Sequence, residues 1–284
     1  MKKAILVVSF GTTHEDTRKL TIDRIEERVK ENFGDYEVRR AFTAHIIIKV
    51  LKDRDGIHED TPEEALEKLK KEGFREIIVQ PLHLIPGEEY DYITAVVNKY
   101  KEDGSFEKIV LGRPALYFKG IEEHIPDDYE IFVDSLEEIL NEYRNVVFMG
   151  HGSVHPANAC YPCLQSVLRD KDYENAYIGT VEGYPTIDDV VRWLKKDGIN
   201  EVTLAPLMLV AGDHAKNDMA GDEEDSWKNI LEEEGIKADI CLRGLGEFKK
   251  FQDIYLQHIQ DAIEGKYEGL GRTKKGIKIA GINK

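Results

Sequence analysis

The chain carries the same pattern twice, and this internal repeat constrains its fold more than any other feature. Residues 73–89 contain a Val/Ile-rich run, a Pro-Leu step and a second apolar run that ends near a glycine, and residues 198–214 repeat that order. The starts of the two halves also match, because residues 7–12 and 148–153 both continue an apolar run into a short glycine-containing turn. The repeat predicts two similar domains built on one scaffold.

The two copies differ at positions where reactive groups would lie. Phe10 in the first copy corresponds to His151 in the second, and Glu89 corresponds to His214. Imidazoles on one copy only indicate a cleft between two similar domains, with the reactive groups supplied mainly by the second.

Size and charge narrow the functional classes. A chain of 284 residues favours two domains of ordinary size, and its hydrophobic content of 41% is enough for packed cores. The formal net charge of −16 argues against nucleic acid or an anionic membrane as a partner. No apolar run is long enough to span a bilayer. The apolar start, residues 1–9, is too short for a signal peptide and matches an interior strand of the second half, so we expect a cytoplasmic protein.

Short Val/Ile-rich runs alternate with charged, amphipathic segments along the chain. Most of these runs lack strict polar alternation, which is typical of strands buried on both faces of a parallel sheet. The predicted strands are 3–9, 36–42, 75–82, 106–112, 146–150, 174–181, 200–208 and 236–243. The predicted helices are 14–33, 61–72, 88–102, 127–143, 160–170, 186–197, 222–235 and 247–264.

This alternation predicts an α/β fold of two similar, doubly wound parallel-sheet domains with a cleft between them. We place the boundary near Pro126, which gives an N-terminal domain of residues 1–126 and a C-terminal domain of residues 127–264 that carries the reactive groups. Residues 265–284 hold six basic residues, one acid and several glycines, and are interpreted as a flexible basic tail.

Three candidate metal ligands each follow a predicted strand of the second half. They are His151, Glu182 and His214. Because ligands bind beyond the carboxyl ends of the strands in open parallel sheets, we expect these side chains at one rim. Two imidazoles and a carboxylate suit cobalt, iron, nickel or zinc, and an imidazole can take up or release a proton as a metal is exchanged. In the alternative interpretation, His151 caps a turn and His214 caps a helix.

Other candidates allow two interpretations. His83 follows the equivalent strand of the first half, and either faces the cleft or is a hydrogen-bonded histidine beneath the loop. Glu88 and Glu89 either form the acidic first turn of a helix or present a carboxylate to the metal-bearing half. His155 lies near His151, and is either a loop residue, as Pro156 beside it suggests, or a residue that supports His151. The remaining histidines, interpreted as surface or structural, are His14, His45, His58, His124 and His258.

The cysteines are too few for a disulfide framework. Cys160 and Cys163 form a C-x-x-C, but the only other cysteine, Cys241, is alone. We therefore favour two small residues at the start of a helix over a metal or redox site.

Five short segments together resemble the class II chelatases, specifically the anaerobic sirohydrochlorin cobaltochelatases of the CbiK type. The segments are Ser-Phe-Gly-Thr at 9–12, Leu-His at 82–83 with Gly-Glu-Glu-Tyr at 87–90, Met-Gly-His-Gly at 149–152, Val-Glu-Gly-Tyr-Pro at 181–185, and 211–219. The resemblance covers nearly the whole chain up to about Gly265.

The resemblance implies two flavodoxin-like halves around a tetrapyrrole cleft, and a lyase that inserts Co²⁺ into sirohydrochlorin in cobalamin biosynthesis. It implies that His151, Glu182 and His214 bind the metal and that both histidines are catalytic. The substrate contacts are expected at Phe10, Gly11, His83, Glu89, Tyr90 and Gly152. Cobalt is a substrate here, Fe²⁺, Ni²⁺ or Zn²⁺ are expected to substitute in vitro, and no organic cofactor is expected. The partner is a small-molecule tetrapyrrole rather than nucleic acid or membrane, and a homo-oligomer stays open.

Two other functions compete with this one. The first is a ferrochelatase acting on sirohydrochlorin or a porphyrin, because a His-Glu-His set does not distinguish cobalt from ferrous iron. The second is a non-catalytic carrier of metal or tetrapyrrole. For either substrate, an acidic chain must supply local donors to the macrocycle carboxylates. The candidates are backbone N–H groups after Gly11 and Gly152, with Lys216 or Arg113 as side-chain donors.

Overall fold

Two four-stranded parallel sheets form the framework of the protein. The computed structural model describes residues 1–270, so residues 271–284 of the predicted tail lie outside the described part. The strands are β1 (Lys3–Ser9), β2 (Glu37–Phe42), β3 (Glu76–Pro81), β4 (Lys108–Leu111), β5 (Val146–Gly150), β6 (Ala176–Thr180), β7 (Glu201–Pro206) and β8 (Lys237–Ile240). Their orders are β2-β1-β3-β4 and β6-β5-β7-β8, so the predicted pair of similar doubly wound parallel sheets is confirmed.

The strand order places β1 and β5 in equivalent interior positions. Met149 of β5 lies opposite Gly179 of β6 on one side and Pro206 of β7 on the other. In the first sheet, β1 has β2 and β3 as its neighbours. A strand paired on both edges and covered by helices on both faces has no solvated side. This explains why the Val/Ile runs lack polar alternation.

The helices connect successive strands and cover the sheets. They are α1 (Glu15–Leu20), α2 (Ile22–Asn32), α3 (His45–Val50), α4 (Pro62–Lys71), α5 (Glu88–Glu102), α6 (Asp128–Ser135), α7 (Glu137–Glu142), α8 (Cys160–Asp170), α9 (Ile187–Lys196), α10 (Trp227–Glu233) and α11 (Lys249–Glu264). Short π-helical turns occupy Leu51–Asp55 and Ala215–Met219, and 3₁₀ turns occupy Pro156–Ala159 and Leu245–Glu247.

Three helix predictions need correction. The predicted helix 14–33 is divided at Thr21, whose hydroxyl donates back to the carbonyl of Thr17 at 2.6 Å and favours a bend. The predicted helix 127–143 is divided at Leu136. The predicted helix 222–235 begins only at Trp227, where the Ser226 hydroxyl caps it.

The last helix, α11, returns to the first sheet and joins the two halves. The Tyr255 hydroxyl donates to the carbonyl of Leu82, just after β3, at 2.9 Å. On the same helix, Phe251 packs edge-to-face against Phe132 of α6, with ring centroids 5.5 Å apart. A single hydrophobic cluster therefore contains residues of both halves. The domain boundary near Pro126 stays a prediction, with α11 shared between the two sheets.

Four loops at the carboxyl ends of interior strands frame the cleft. They follow β1 and β3 in the first half, and β5 and β7 in the second. All the candidate residues that the repeat singled out lie on these loops or on the helices that follow them. Within residues 1–270, none of the helices combines the length and the apolar character needed to cross a bilayer.

Candidate metal centre

His151 follows β5 directly, on a loop whose path requires glycine. Gly152 has a φ of +79°, and a Cβ at this position would come 2.7 Å from the backbone nitrogen of Gly183. The loop after β5 therefore lies against the loop after β6, and the amide of Glu182 donates to the carbonyl of His151 at 2.8 Å. Glycine accommodates both the positive φ and the close contact. The Gly-His-Gly and Glu-Gly segments thus place an imidazole and a carboxylate on adjoining loops.

His151 and His214 lie side by side. Their ring centroids are 4.7 Å apart and their planes meet at 88°. His214 precedes the π-helical turn Ala215–Met219 after β7, the strand beside β5 in the sheet. Both side chains are partly exposed, at 43% for His151 and 38% for His214. The structure therefore brings together two of the three predicted ligands at an accessible rim.

Neighbouring oxygens fix the tautomer of each ring. The Nδ1 atom of His151 lies 3.0 Å from the carbonyl oxygen of Gly152, and Nδ1 of His214 lies 2.5 Å from Oδ2 of Asp218. Both partners only accept hydrogen bonds, so each Nδ1 carries the proton and each Nε2 keeps a lone pair. A carboxylate behind a ligating imidazole orients it and raises its basicity. Sequence reasoning missed Asp218, although its spacing of four residues from His214 is a signal for such a pair.

Glu182 lies beside the pair without completing a closed ligand set. Its Oε2 atom is 3.9 Å from Nδ1 of His151, and the side chain is 60% exposed. Within residues 1–270, three potential ligand atoms that all lie within 4.8 Å of one another occur only at His58, Asp60 and Glu64. Glu182 therefore needs a rotamer change to share an ion with the two Nε2 atoms. A side chain this exposed can make that change at small cost in packing.

The group at His58 is occupied by other interactions. Lys68 donates to both oxygens of Asp60, at 2.6 and 2.7 Å. Glu64 accepts the backbone N–H of Thr61 in a capping box at the start of α4. These carboxylates neutralise a lysine and cap a helix, which accounts for their clustering without a metal.

The first half presents an aromatic ring and an acidic helix start. Phe10 follows β1 and is 48% exposed, which is unusual for so large an apolar side chain. Gly11 has a φ of +93°, and a Cβ there would meet the Phe42 ring at 2.6 Å, so its glycine is explained by the path of the chain. Glu89 lies in the first turn of α5 and is partly buried.

Two polar bridges join the loops of the first half to those of the second. Lys216, two residues after His214, has Nζ at 3.2 Å from Oδ2 of Asp16 and at 3.4 Å from Nδ1 of His14. On the other side, Nε2 of His155 lies 3.2 Å from Oδ2 of Asp91 in α5. His14, interpreted from sequence as surface or structural, therefore lies at the junction of the halves.

The match to a known family extends over nearly the whole chain and is not limited to the residues of the site. A profile described as "Cobalt chelatase (CbiK)" matches residues 3–264. The chain belongs to the cobalt chelatase (CbiK) family. A curated relative, the sirohydrochlorin cobaltochelatase of Salmonella typhimurium, is 40% identical over 266 residues, which cover 93% of this chain and 97% of the relative. Another, the sirohydrochlorin cobaltochelatase CbiKC of Nitratidesulfovibrio vulgaris, is 36% identical over 270 residues, covering 92% and 91%.

A solved structure supports the fold of this CbiK-family chain. CbiX, described as the terminal enzyme for siroheme biosynthesis in denitrifying bacteria, superposes with a TM-score of 0.53. The match covers 91% of this chain and 99% of that one, at 15% sequence identity. At such low identity the comparison shows a shared chelatase-like fold and nothing more.

In this CbiK-family protein, His83 is a buried imidazole, and neither of its ring nitrogens has a hydrogen-bond partner among residues 1–270. Both nitrogens are shielded from solvent, although part of the residue is accessible. Burial lowers the pKa of His83 from 6.5 to about 4, because the charged form would lose its hydration. His83 is therefore a buried, neutral ring at neutral pH, and its contact with substrate stays a prediction.

Replacing His83 with leucine is expected to stabilise the protein by about 1 kcal/mol at pH 7, because it removes unsatisfied buried polar atoms. The unfolded wild type binds a proton near pH 6.5 and the folded form only near pH 4. Wild type should therefore lose up to about 3 kcal/mol relative to the variant as the pH falls through that window. Urea unfolding at several pH values measures the difference. Exposed His124, replaced in the same way, is the control, and a His83→Leu curve parallel to wild type would contradict the argument.

Tyr90 and Arg113 are both buried, so they are less accessible to a substrate than the sequence predicts. Tyr90 is buried, its hydroxyl donates to the carbonyl of Gly112 at 3.4 Å, and its ring packs edge-on against Tyr117. Arg113 is 9% exposed, with Asp128 as one of its carboxylate partners. Arg113 is therefore unavailable to bind substrate carboxylates, and that candidate is corrected. Lys216, the other side-chain candidate, lies at the cleft.

The C-x-x-C begins α8 and has the features of a packing element. Cys160 is buried, Cys163 is partly buried, and both are free thiols. Burial raises the pKa of each thiol and so disfavours the thiolate that metal binding or redox chemistry needs. The structure agrees with two small residues at a helix start.

Proposed function

We propose that this protein inserts Co²⁺ into sirohydrochlorin to give cobalt-sirohydrochlorin, a step of cobalamin biosynthesis. The observation that carries the proposal is the pair His151 and His214, with ring centroids 4.7 Å apart and an Nε2 lone pair on each. Membership of the CbiK family supports it, as do two relatives named for this activity that align with more than nine-tenths of the chain.

The two imidazoles hold the incoming ion through Nε2. Neutral imidazole suits cobalt and also binds Fe²⁺, Ni²⁺ and Zn²⁺. Glu182 adds a carboxylate after rotation, which offsets the positive charge of the ion. The open arrangement suits a substrate metal, because a complete ligand set would retain the ion on the protein rather than release it to the macrocycle.

Insertion exchanges one divalent ion for the two inner N–H protons of the macrocycle. As the ion moves to the ring nitrogens, the imidazole that it leaves regains the lone pair on Nε2. Each of the two imidazoles accepts one of the two protons at this lone pair, so metal and proton are exchanged at the same atoms, and both protons then pass to solvent. At His214, the Asp218 carboxylate at 2.5 Å stabilises the imidazolium that forms.

The first half contacts the other side of the macrocycle. Phe10 supplies an exposed apolar ring that can stack on the flat tetrapyrrole. Glu89 lies at the start of α5, on the same side of the cleft. Gly11 and Gly152 determine the paths of the two loops, because both have a positive φ. The amide of Gly152 donates to the Tyr161 hydroxyl at 3.4 Å.

An absorbance assay of purified sirohydrochlorin with Co²⁺ and Fe²⁺ in parallel tests the proposal. The macrocycle spectrum should shift with catalytic turnover, so that product exceeds protein many times over, and the rate should be higher with Co²⁺. A faster reaction with Fe²⁺ would identify a ferrochelatase. Stoichiometric binding without turnover would identify a carrier. Either result would contradict the proposed activity.

A further inference from the structure

Two bridges across the cleft are related by the repeat. One joins α1, the helix after β1, to the π-helical turn after β7 through Oδ2 of Asp16 and Nζ of Lys216, which are 3.2 Å apart. The other joins the helix after β3 to the loop after β5 through Asp91 and His155 at 3.2 Å. Because β1 corresponds to β5 and β3 to β7, exchange of the two halves converts one bridge into the other. The bridges therefore occupy positions that are equivalent under the repeat.

The acidic and basic partners of the two bridges are not exchanged when the two halves are exchanged. In both, the first half supplies the carboxylate and the second half supplies the proton donor. The Nδ1 atom of His155 accepts the backbone N–H of Ala157, so its proton lies on Nε2, the atom 3.2 Å from Oδ2 of Asp91. The half that carries His151 and His214 thus also carries two donors aimed across the cleft.

The two donors are largely buried, whereas the two carboxylates are mostly exposed to solvent. Lys216 and His155 are 33% and 24% exposed, but Asp16 and Asp91 are 68% and 67% exposed. Exposed ion pairs contribute about 0–1 kcal/mol, so each acid can turn to water at small cost. Each donor would then be left facing the cleft, ready for another carboxylate.

We propose that Lys216 and His155 bind carboxylates of the macrocycle, and that Asp16 and Asp91 occupy these donors until the substrate replaces them. The inference rests on the proposed function, because it takes the substrate to be a polycarboxylate tetrapyrrole. It resolves how a chain of net charge −16 binds a polyanion: the donors lie on the metal-bearing half, and the competing acids swing outward.

The two partners of one bridge have opposite expected effects on binding of metal-free sirohydrochlorin, measured by fluorescence titration. Lys216→Met removes a donor and should raise Kd about tenfold. Asp16→Asn breaks the same bridge but removes a competitor and a repelling charge, so it should lower Kd about two- to fivefold. Asp91→Asn should lower Kd likewise. If the bridges only held the halves together, breaking them from either side would shift Kd in one direction.

A matched pair far from the cleft controls for bulk charge. Lys195 and Glu234 form an exposed ion pair where α9 and α10 end, just before β7 and β8 begin, at the amino ends of the strands and away from the cleft. Lys195→Met and Glu234→Gln make the same charge changes and should leave Kd unchanged, because screening acts within about 8 Å. In Lys216→Met, kcat at saturating macrocycle should stay within about threefold of wild type while KM rises.

The results distinguish a failure of the proposed bridge exchange from a failure of the proposed cobalt insertion. Unchanged Kd in Lys216→Met, or a rise in Kd for both Lys216→Met and Asp16→Asn, would overturn the role of the bridges while cobalt insertion by wild type upheld the activity. Tight macrocycle binding by wild type without insertion would contradict the activity, and the opposite shifts could still be observed. Failure of wild type to bind the macrocycle would overturn both.

Discussion

Replacing either His151 or His214 with alanine is expected to lower the rate of cobalt insertion by about a hundredfold to ten-thousandfold, the range for loss of a positioned acid–base group. Each variant removes an Nε2 atom that, in the proposed mechanism, both holds the ion and receives a proton. The rings share one site, with centroids 4.7 Å apart, so the double variant should lose little more than either single variant. Initial rates with sirohydrochlorin and Co²⁺ measure the effect.

Binding of the macrocycle should survive these substitutions, because its proposed contacts lie mainly at Phe10 and at other residues of the loops of both halves. A fluorescence titration with metal-free sirohydrochlorin should therefore give a Kd close to that of wild type. His124→Ala is the matched control, since this histidine is exposed on the connection between β4 and α6 and pairs with Glu122. Turnover near the wild-type rate in both His151→Ala and His214→Ala would show that the imidazole pair is not catalytic.

The strands were predictable because their signal is local. A parallel strand buried on both faces needs an apolar run, and all eight runs became strands. The helical segment His45–Asp55 was missed because the consecutive residues Ile46, Ile47 and Ile48 have weak helix propensity. Ile47 and Ile48 pack on a cluster that contains Phe42, so tertiary contacts favour the helix where propensity does not.

The sequence predicted only those site residues whose positions follow from the ends of the strands. The rule that ligands lie beyond the carboxyl ends of strands predicted that His151 and His214 would lie near each other. The bridges from Asp16 and Asp91 depend on how the two halves dock, which no local pattern records. Arg113 was taken for a substrate donor because its partner Asp261 lies 148 residues away in the chain.

Replacing Arg113 with methionine is expected to lower the free energy of unfolding by about 3–5 kcal/mol, because it leaves buried carboxylates without their cation. The Nε atom of Arg113 donates to Asp128 at 3.0 Å, and Nη1 donates to Asp261 of α11 at 2.8 Å. Burial alone would raise the pKa of Asp128, but His258 and the Arg113 guanidinium hold that pKa below its usual value. Urea unfolding at pH 7 measures the loss.

The pH dependence of that loss separates unpaired charge from lost packing. Without the guanidinium of Arg113, the pKa of Asp128 rises, so the folded variant takes up a proton at a higher pH than wild type does. Its deficit in unfolding free energy should therefore shrink as the pH falls from 7 towards 4. Arg192→Met, which removes an exposed arginine paired with Asp189, should cost less than about 1 kcal/mol. A deficit in Arg113→Met that stayed constant with pH would mean that Arg113 stabilises the junction of the halves by its packing, not by its charge.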